Sequence, residues 1–391
     1  DLQAAKGTLA PAGGGAIIRR EQSTFELAKE SYTTESEITA TQQITSSRHG
    51  MRIVNGKLTG IFSPGTYADP LSAVLRKDFT AVTSLTGLSI TVAGTPGAYT
   101  LTTTGLLAGG IKVGMVIRIT AGTGLNADVL NKNFLVTACT ATVATVAVLN
   151  GSTITTGSGT ACTIAIPGKI SYTPVTGHTS IYHTVEEWYP DVPFSERNLD
   201  VKFTQANLSL PGTGNAKIDF TAIGLNQTNA AAAYFTAPTA ETTTDSLVAA
   251  SGLLLVGGVP QATITDLNIA IDGKGAAADG VVGSDIRPDV FVGKVSVSGS
   301  FTAYFDSSTV PNMFLNETAT SIVSALTAGT AANADFVTLT MSNVRINSST
   351  PGDNETGLKR TYNFVAVLNA AGGTGTATEK TTLQVQDSAA A

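Results

Sequence analysis

Two histidines and two glutamates lie close together along the chain and are the first candidates for a metal site. They are His178, His183, Glu186 and Glu187. Side chains five positions apart on a β-strand point to opposite faces, so His178 and His183 would not share one ion. The spacing also differs from the motif that places two histidines on one face of a zinc-protease helix. We therefore expect no metal site and interpret these residues as surface or interface side chains.

A second candidate site is the glycine-rich loop that contains Asp272 and Asp279. An EF-hand calcium loop needs oxygen ligands at alternating positions and a closing glutamate, and this loop lacks both. The glycines between Gly105 and Gly114 are not followed by the Gly-Lys-Ser/Thr that binds a phosphate, so they are interpreted as turns. The sequence thus predicts no cofactor, no metal and no enzyme activity.

Composition points instead to a β-rich structural protein. Of the 391 residues, 42% are hydrophobic and only 13% are charged, while glycine is abundant with 40 residues. Threonine-rich segments of alternating polarity with frequent glycine are typical of strands and turns. Because isolated monomers need surface charge to stay dispersed, this low charge favours a surface covered by neighbouring subunits. A secreted β-protein of low charge is the alternative that composition leaves open.

Charge and apolar runs restrict the partners and the compartment. The net charge of −6 argues against a nucleic-acid binder, which normally carries a basic stripe. Cys139 and Cys162 either pair across neighbouring strands or remain buried free thiols. The first residues lack the pattern of a signal peptide, and the longest apolar run, 247–259, is too short to cross a membrane. These features predict a soluble, self-assembling protein that is made in the cytoplasm.

Two similar series of motifs suggest a tandem repeat. In the first series, Thr179–Ile181 leads through hydrophobic strands to Phe220–Asn226. In the second series, Thr320–Ile322 leads to Phe364–Asn369 over a nearly equal distance. Such self-similarity indicates a duplicated β-module, which would place two equivalent surfaces in an assembly.

The repeat and the changes in composition divide the chain into six parts. They are an N-terminal arm (1–20), a discontinuous first module (21–81 and 169–228), an inserted β-domain (82–168), a linker (229–260), a second module (261–370) and a C-terminal tail (371–391). The arm is rich in Gly, Ala and Pro, so we expect that only a neighbouring subunit fixes it. The predicted fold class is all-β with a minor helix: two tandem β-sandwich or barrel modules plus the inserted small β-domain.

One helix is predicted with a defined start and a defined buried face. Asp69 and Pro70 would open it, because Asp can cap free backbone N–H groups and Pro fits a first turn. The range 71–75 places three apolar residues at helical spacing toward the core. Arg76 and Lys77 are expected on the other side, near the end of the helix.

Several weak motifs, taken in their order, resemble the tail tube proteins of long-tailed bacteriophages. They are the segments Ile53–Phe79 and Val295–Asn316, and the pattern of Leu339–Ile346 followed by Tyr362–Val367. The match covers most of the chain outside the insert. The chain therefore resembles the major tail tube protein of siphovirus-type phages, with two tube modules in tandem.

The resemblance implies an architecture and a role. In that family each module is a small β-sandwich with a flanking helix, and six modules form a ring whose inner strands join into one barrel. Rings stack through long loops and terminal arms, and the bore carries double-stranded DNA into the host. A chain with two modules would form homotrimeric, pseudo-hexameric rings, with the inserted domain on the outside.

The resemblance also implies partners and a location. The partners would be further copies of the chain, the tail terminator, the tape measure and the distal tail proteins, with transient, non-specific passage of double-stranded DNA. No membrane insertion is expected. The protein would be made in the host cytoplasm and would act in the virion as a structural tail component. From the net charge we further expect an acidic bore, along which DNA slides without ion pairing.

Seven residues are candidate assembly contacts. They are Arg19 and Arg20 in the arm, Glu35, Glu37 and Thr41 in the predicted hairpin 31–46, and Asp272 and Asp279 at the loop 273–289. Either the hairpin or the loop could make the main stacking contact between rings. The hairpin is favoured because it is richer in strand-forming residues.

Two other functions remain open from the sequence. A bacterial surface protein, such as an adhesin or an S-layer protein, would share the Thr/Gly/Ala-rich strands and the low charge. A carbohydrate-binding or depolymerising tail protein would show clustered aromatic residues and paired carboxylates. The insert argues against the latter, because its aromatic residues are just Tyr99 and Phe134.

Overall fold

The computed structural model of the chain describes residues 1–391 except 37, 39, 42, 152, 250, 262, 306, 307 and 353–356. The fold is all-β with two short helices, which confirms the predicted class. The first elements are β1 (Gln22–Thr33), β2 (Ser47–Ile61), α1 (Ala68–Leu75), β3 (Leu85–Thr95), β4 (Ala98–Thr102), β5 (Val116–Thr123), β6 (Phe134–Cys139), β7 (Val143–Val148) and β8 (Gly157–Ala165). They are followed by β9 (Lys169–Tyr172), β10 (His183–Tyr189), β11 (Phe194–Pro211), β12 (Lys217–Gly224), β13 (Asn226–Ala230), β14 (Gly252–Val256), β15 (Val259–Pro260) and β16 (Ile264–Asp272). The last are β17 (Ala276–Ala277), β18 (Val290–Phe291), β19 (Ser296–Tyr304), α2 (Thr309–Leu315), β20 (Thr320–Ala328), β21 (Asp335–Gly352), β22 (Lys359–Ala366) and β23 (Gln384–Asp387).

Most strands belong to one large antiparallel sheet made of two halves with the same strand order. The order is β1-β2-β12-β11 in the first half and β16-β19-β22-β21 in the second. These eight strands are named the inner sheet. Its halves are joined edge to edge, because Gln205–Pro211 of β11 pairs with Asp266–Asp272 of β16. The first part of β11 pairs instead with β10 and β13, and the first part of β21 with β20 and β23; these are the outer strands.

The two halves share irregularities as well as strand order. The long strand of each half carries a β-bulge, at Thr204 in β11 and at Asn347 in β21. A second bulge follows His183 in β10 and Thr320 in β20. A bulge inserts one extra residue and sharpens the local twist, so it bends the strand from the outer layer into the inner sheet. By pairing, Thr204 is the counterpart of Asn347, and His183 is the counterpart of Thr320.

This correspondence differs from the one that the sequence motifs suggest. By strand pairing, the counterpart of Thr320–Ile322 is His183–Val185, not the earlier Thr179–Ile181. Bulges and loops change the number of residues between strands, whereas the hydrogen-bond ladder determines which residues face each other. The motif alignment therefore brings similar regions together but does not match residues, and Thr179–Ile181 lies before β10.

The main core lies between the inner sheet, the outer strands and α1. Strand β12 shows the alternation that builds it, because Ile218, Phe220 and Ala222 are buried while their neighbours face the other side. Helix α1 adds Leu71 and Val74, which are buried as the helical spacing predicts. The apolar face of this helix is thus confirmed.

The ends of α1 differ from the expectation. The helix begins at Ala68 with Tyr67 at the N-cap position, so Asp69 lies inside the first turn, where its charge still favours the helix dipole. Arg76, expected on the exposed side, is buried. It adopts the left-handed conformation that ends the helix, and its guanidinium donates a hydrogen bond to Gly273 O (2.8 Å).

Strands β3 to β8 form a separate closed barrel in the order β3-β4-β7-β6-β5-β8. The barrel has its own apolar interior, which includes Ile90, Leu101, Ile117, Phe134, Val146 and Ile164. Cys139 and Cys162 are both buried free thiols, so they do not pair across strands. Because the sheet closes on itself, the barrel leaves no edge for further strands.

The barrel follows α1 of the first half but packs against the second half. An apolar cluster joins the two parts and consists of Val116, Leu135, Leu149, Leu255, Val323, Ala325 and Phe336. Beside it, the amide of Gln386 accepts from the N–H of Val116 (2.8 Å) and donates to its carbonyl (3.0 Å). Asn133 Nδ2 also donates to Ala334 O (2.8 Å). These contacts hold the barrel on the outer strands of the second half.

The segments predicted as arm, linker and tail all contact the folded chain. Within the predicted linker, β14 pairs with β20, and within the predicted tail, β23 pairs with β21 and β9. In the arm, the N–H of Gly7 donates to Asp200 Oδ1 (2.7 Å), and the N–H of Ile17 donates to Thr239 O (2.9 Å). The expectation that only a neighbour fixes the arm is wrong, because β11 and the linker satisfy its backbone groups.

Candidate assembly surface

The two histidines and two glutamates occupy separate environments. In the described part of the chain, no group of three or more His, Cys, Asp or Glu side chains could hold an ion. His178 is exposed, but His183 is buried edge-on against Phe203, with 5.2 Å between ring centroids. Burial lowers the pKa of His183 to about 4, so the ring is neutral near pH 7. The expectation of a surface position for His183 is wrong, because the strand turns this residue toward the core.

The two neighbouring glutamates have structural partners. The carboxylate of Glu186 accepts from the backbone N–H groups of Tyr234 (2.5 Å) and Phe235 (3.0 Å). The carboxylate of Glu187 accepts from Ser23 Oγ (2.6 Å). Both side chains thus fasten separate segments to β10.

The predicted assembly residues of the arm occupy different environments. Arg19 is half-buried, and its guanidinium donates to Ser63 Oγ (2.7 Å) and to Thr244 O (2.7 Å). It therefore joins the arm and the linker to the segment before α1. Arg20 is exposed.

The predicted hairpin is a long extension of the inner sheet. Its stem consists of the paired ranges 29–33 and 47–52. The stem extends beyond Val54, where the pairing of β2 with β12 ends. Glu35 and Thr41 are exposed beyond this stem. Glu37 lies outside the described residues.

The loop after β16 lies beside the hairpin stem. Asp272 accepts from Gln205 Nε2 (3.2 Å) and from Lys274 Nζ (2.5 Å), while Asp279 is exposed. Two ion pairs connect loop and stem: Arg287 with Glu30, at 3.0 Å, and Arg52 with Asp285. The structure therefore brings the hairpin and the loop together at one end of the inner sheet, and it places the arm residues at the other end.

The inner sheet has one face on the core and one open, concave face. A groove of about 560 Å³ on the open face is lined mainly by small uncharged polar side chains. They include Asn207, Ser209, Asn268, Ser298, Ser300 and Asn363. By alternation, the charged side chains of the described residues on this face include Glu26, Asp219, Asp266, Asp272, Lys57, Lys217, Arg345 and Lys359. The two signs are therefore nearly balanced.

The inner sheet ends in two unpaired edges. Within the described residues, β1 pairs only with β2, and Ser348–Gly352 of β21 pairs only with β22. The counterparts of these edges, β16 and the second part of β11, pair with each other inside the chain. An unpaired edge offers free N–H and C=O groups to another chain.

None of the six predicted residues that the structure describes lies on these edges. The residues predicted from the sequence are mostly charged and belong to the arm and to loops, whereas the edges are strands of ordinary composition. The shared strand order of the two halves contains a signal for them, because β1 is the counterpart of β16, which is paired inside the chain.

A buried carboxylate connects the end of β23 to the segment before α1. Asp387 accepts from the N–H of Gly65 (2.8 Å) and from the N–H of Ala389 (2.9 Å). Burial raises the pKa of Asp387 to about 6, although these two N–H groups favour the charged form.

This carboxylate should make stability fall with rising pH. Its pKa in the folded chain lies above the unfolded value, so the folded chain binds more protons between about pH 4 and pH 6. Over that window we expect a loss of about 3 kcal/mol of unfolding free energy. Denaturant titrations at several pH values measure this loss. Asp387→Asn should remove this contribution to the slope, and the exposed control Asp279→Asn should retain it; equal slopes in both variants would contradict the prediction.

Comparison with known families adds one match. A family described as phage tail tube protein matches the chain over residues 4–366. A search of curated proteins finds no match. Among the helices of the described residues, none has the length and apolar character to span a membrane.

Proposed function

The chain belongs to the phage tail tube protein family, and we propose that three copies form each ring of a siphovirus-type tail tube. The family match spans nearly the whole chain and makes the protein a structural component of the phage tail. The ring proposal adds that the chain is a tandem duplication of one tube module. Its support is that both halves have the same strand order and bulges at the same ladder positions.

The pairing of β11 with β16 inside the chain is the observation that carries this proposal. It joins the two halves into one continuous sheet, named the internal seam. Each chain then retains two free edges. One is Ser348–Gly352 of β21, the counterpart of the second part of β11, and the other is β1, the counterpart of β16. If β21 of one copy pairs with β1 of the next, the same seam recurs around a ring and closes all edges.

The internal seam predicts the register between copies. Asn207 faces Ala270 across it. Comparison of the strand pairings in the two halves shows that Thr350 is the counterpart of Asn207. It also shows that Glu26 is the counterpart of Ala270. Thr350 of one copy should therefore face Glu26 of the next copy.

The strand count is compatible with a channel for DNA. Three copies with eight inner strands each would form a barrel of 24 strands. Strands ~4.8 Å apart and tilted by ~45° make a backbone circle about 50 Å across, which side chains narrow to about 40 Å. A B-form duplex, roughly 20 Å wide, would fit inside.

The open face of the inner sheet would form the wall of this channel. Uncharged Asn and Ser side chains dominate it, and among the described residues acids and bases occur on it in similar numbers. We therefore revise the proposed bore from acidic to nearly neutral. Such a wall offers the DNA phosphates few ion pairs and little repulsion, so a duplex can slide.

The proposal includes the positions of the other parts. The barrel of β3 to β8 packs on outer strands of the second half, so three barrels would project from the outside of each ring. The tape measure would occupy the bore, and the tail terminator and distal tail proteins would meet the two ends of the tube. The protein would be made in the host cytoplasm and would serve as the conduit for DNA ejection.

Electron microscopy of the purified protein tests the proposal. We expect rings with threefold symmetry, a central channel and, on stacking, tubes with a regular repeat. Monomers under all conditions of salt and concentration would rule it out.

Removal of the hairpin tip should separate ring formation from stacking. Deleting residues 35–44 leaves the inner sheet and both free edges intact, because the tip lies beyond the paired stem. We expect soluble rings that no longer form tubes. Sedimentation and negative-stain images measure ring and tube populations, and tubes of normal length would show that another segment makes the stacking contact.

A further inference from the structure

A segment of the linker closes one end of the core in the first half. The N–H of Leu247 donates to Phe62 O (2.9 Å), and its carbonyl accepts from the N–H of Ala216 (2.9 Å). Phe62 and Ala216 are also paired with each other, N–H to O, at 2.8 Å. Leu247 is fully buried, and only 2% of Phe62 and 1% of Ala216 are exposed. Leu247 thus acts as a plug in a site formed by the end of β2 and the start of β12.

The second half contains the same site without the plug. By strand pairing, Phe305 is the counterpart of Phe62, and Leu358 is the counterpart of Ala216. The N–H of Phe305 donates to Leu358 O at 2.9 Å, which reproduces the pairing of the first half. However, 42% of Phe305 and 57% of Leu358 are exposed. Within the described residues no segment takes the place of Leu247, so Phe305 and Leu358 are named the open socket.

The surroundings of the open socket are apolar as well. A small cleft beside Phe305 is lined by residues that include Phe301, Ala303, Val310 and Tyr362. The neighbouring helix α2 has no buried residue, whereas α1 is mostly buried in the first half. The equivalent site in the first half is covered by Leu247, whereas this apolar site is exposed. The difference indicates a contact that is completed by another molecule.

The location of the open socket identifies that molecule as a second copy of the chain. Gly352 and Pro351, on the free edge of β21, pair with Lys359 and Arg360, which directly follow Leu358. The open socket is therefore continuous with the edge assigned to the next copy in the ring. In the first half, the plug belongs to the segment that leads across the internal seam into the other half.

We propose that an extended apolar segment of the next copy plugs the open socket, an inference that rests on the proposed ring. The segment would donate a backbone N–H to Phe305 O and accept from the N–H of Leu358, as Leu247 does in the first half. Its apolar side chain would cover Phe305 and Leu358. Each copy would then contribute one plug and one socket, and a closed ring would leave no socket empty.

A charge in the open socket tests the proposal. Leu358→Asp should leave the monomer folded, because this side chain is mostly exposed. Assembly would bury the carboxylate without a partner, so ring formation should require more than about tenfold higher protein concentration than for the unchanged chain. The matched control is Val192→Asp, an exposed position in the turn between β10 and β11, which should assemble normally.

Sedimentation of both variants and of the unchanged chain separates the outcomes. If Leu358→Asp assembles like the unchanged chain, the plug is refuted while the ring remains. If the unchanged chain itself forms no rings, the proposed function fails instead. Hydrogen exchange of the unchanged chain covers the case in which the variant misfolds. The amide of Leu358 should become protected on ring formation, and unaltered exchange there would overturn the inference.

Discussion

A chain that carries both Glu26→Cys and Thr350→Cys should become a covalent trimer when assembled rings are oxidised. In the proposed register these positions face each other across the seam between copies, and facing Cβ atoms on antiparallel strands lie ~4.5–5.5 Å apart. That separation is close to what a disulfide requires. Cys139 and Cys162 are buried and should not compete. Non-reducing denaturing gels measure the product.

Two matched controls define the result. Thr24→Cys with Ser348→Cys places cysteines on the same two edges but about four residues out of register, or ~13 Å apart, and should give no cross-link. Asn207→Cys with Ala270→Cys uses the internal seam and should cross-link within one chain. Trimers from the first control alone would refute the register, and the absence of any link between chains would refute the seam.

Phe336→Ala should cause a large loss of stability. Phe336 is fully buried in the apolar cluster that joins the barrel to the second half. Removing a buried phenyl ring costs about 3–5 kcal/mol, from lost transfer free energy and from the cavity that remains. Because the barrel has its own core, we also expect calorimetry to resolve a separate barrel transition.

The control for this prediction is Val282→Ala, at a fully exposed position of the loop after β16. Its effect on the unfolding free energy should stay within about 0.5 kcal/mol. A change of similar size in Phe336→Ala would mean that the barrel is not held through this cluster.

Much of the fold could be predicted because short periodic patterns of apolar residues indicate its strands and its main helix. The alternation of Ile218, Phe220 and Ala222 indicates a strand with one buried face, and the structure buries all three. The spacing of Leu71 and Val74 likewise indicates the core face of α1. Each pattern spans only a few residues, so no distant contact is needed to recognise it.

The candidate assembly surface could not be predicted in the same way. Charged loop residues such as Glu35 and Asp279 were selected, and both are exposed. The free edges on β1 and on Ser348–Gly352 were not selected, because an edge is defined by a missing neighbour. Whether a strand has a neighbour depends on segments far away along the chain.

Local periods of two and 3.6 residues are thus sufficient for the all-β class, for the buried face of α1 and for two similar series of strands. Packing between distant segments alone establishes that the barrel rests on the second half, that His183 is buried, and that no described segment covers Phe305 and Leu358. The bulges explain why the sequence alone does not show which residues of the two halves are counterparts. They insert residues between strands without a clear sequence signal, and only the completed ladder shows which residues are counterparts.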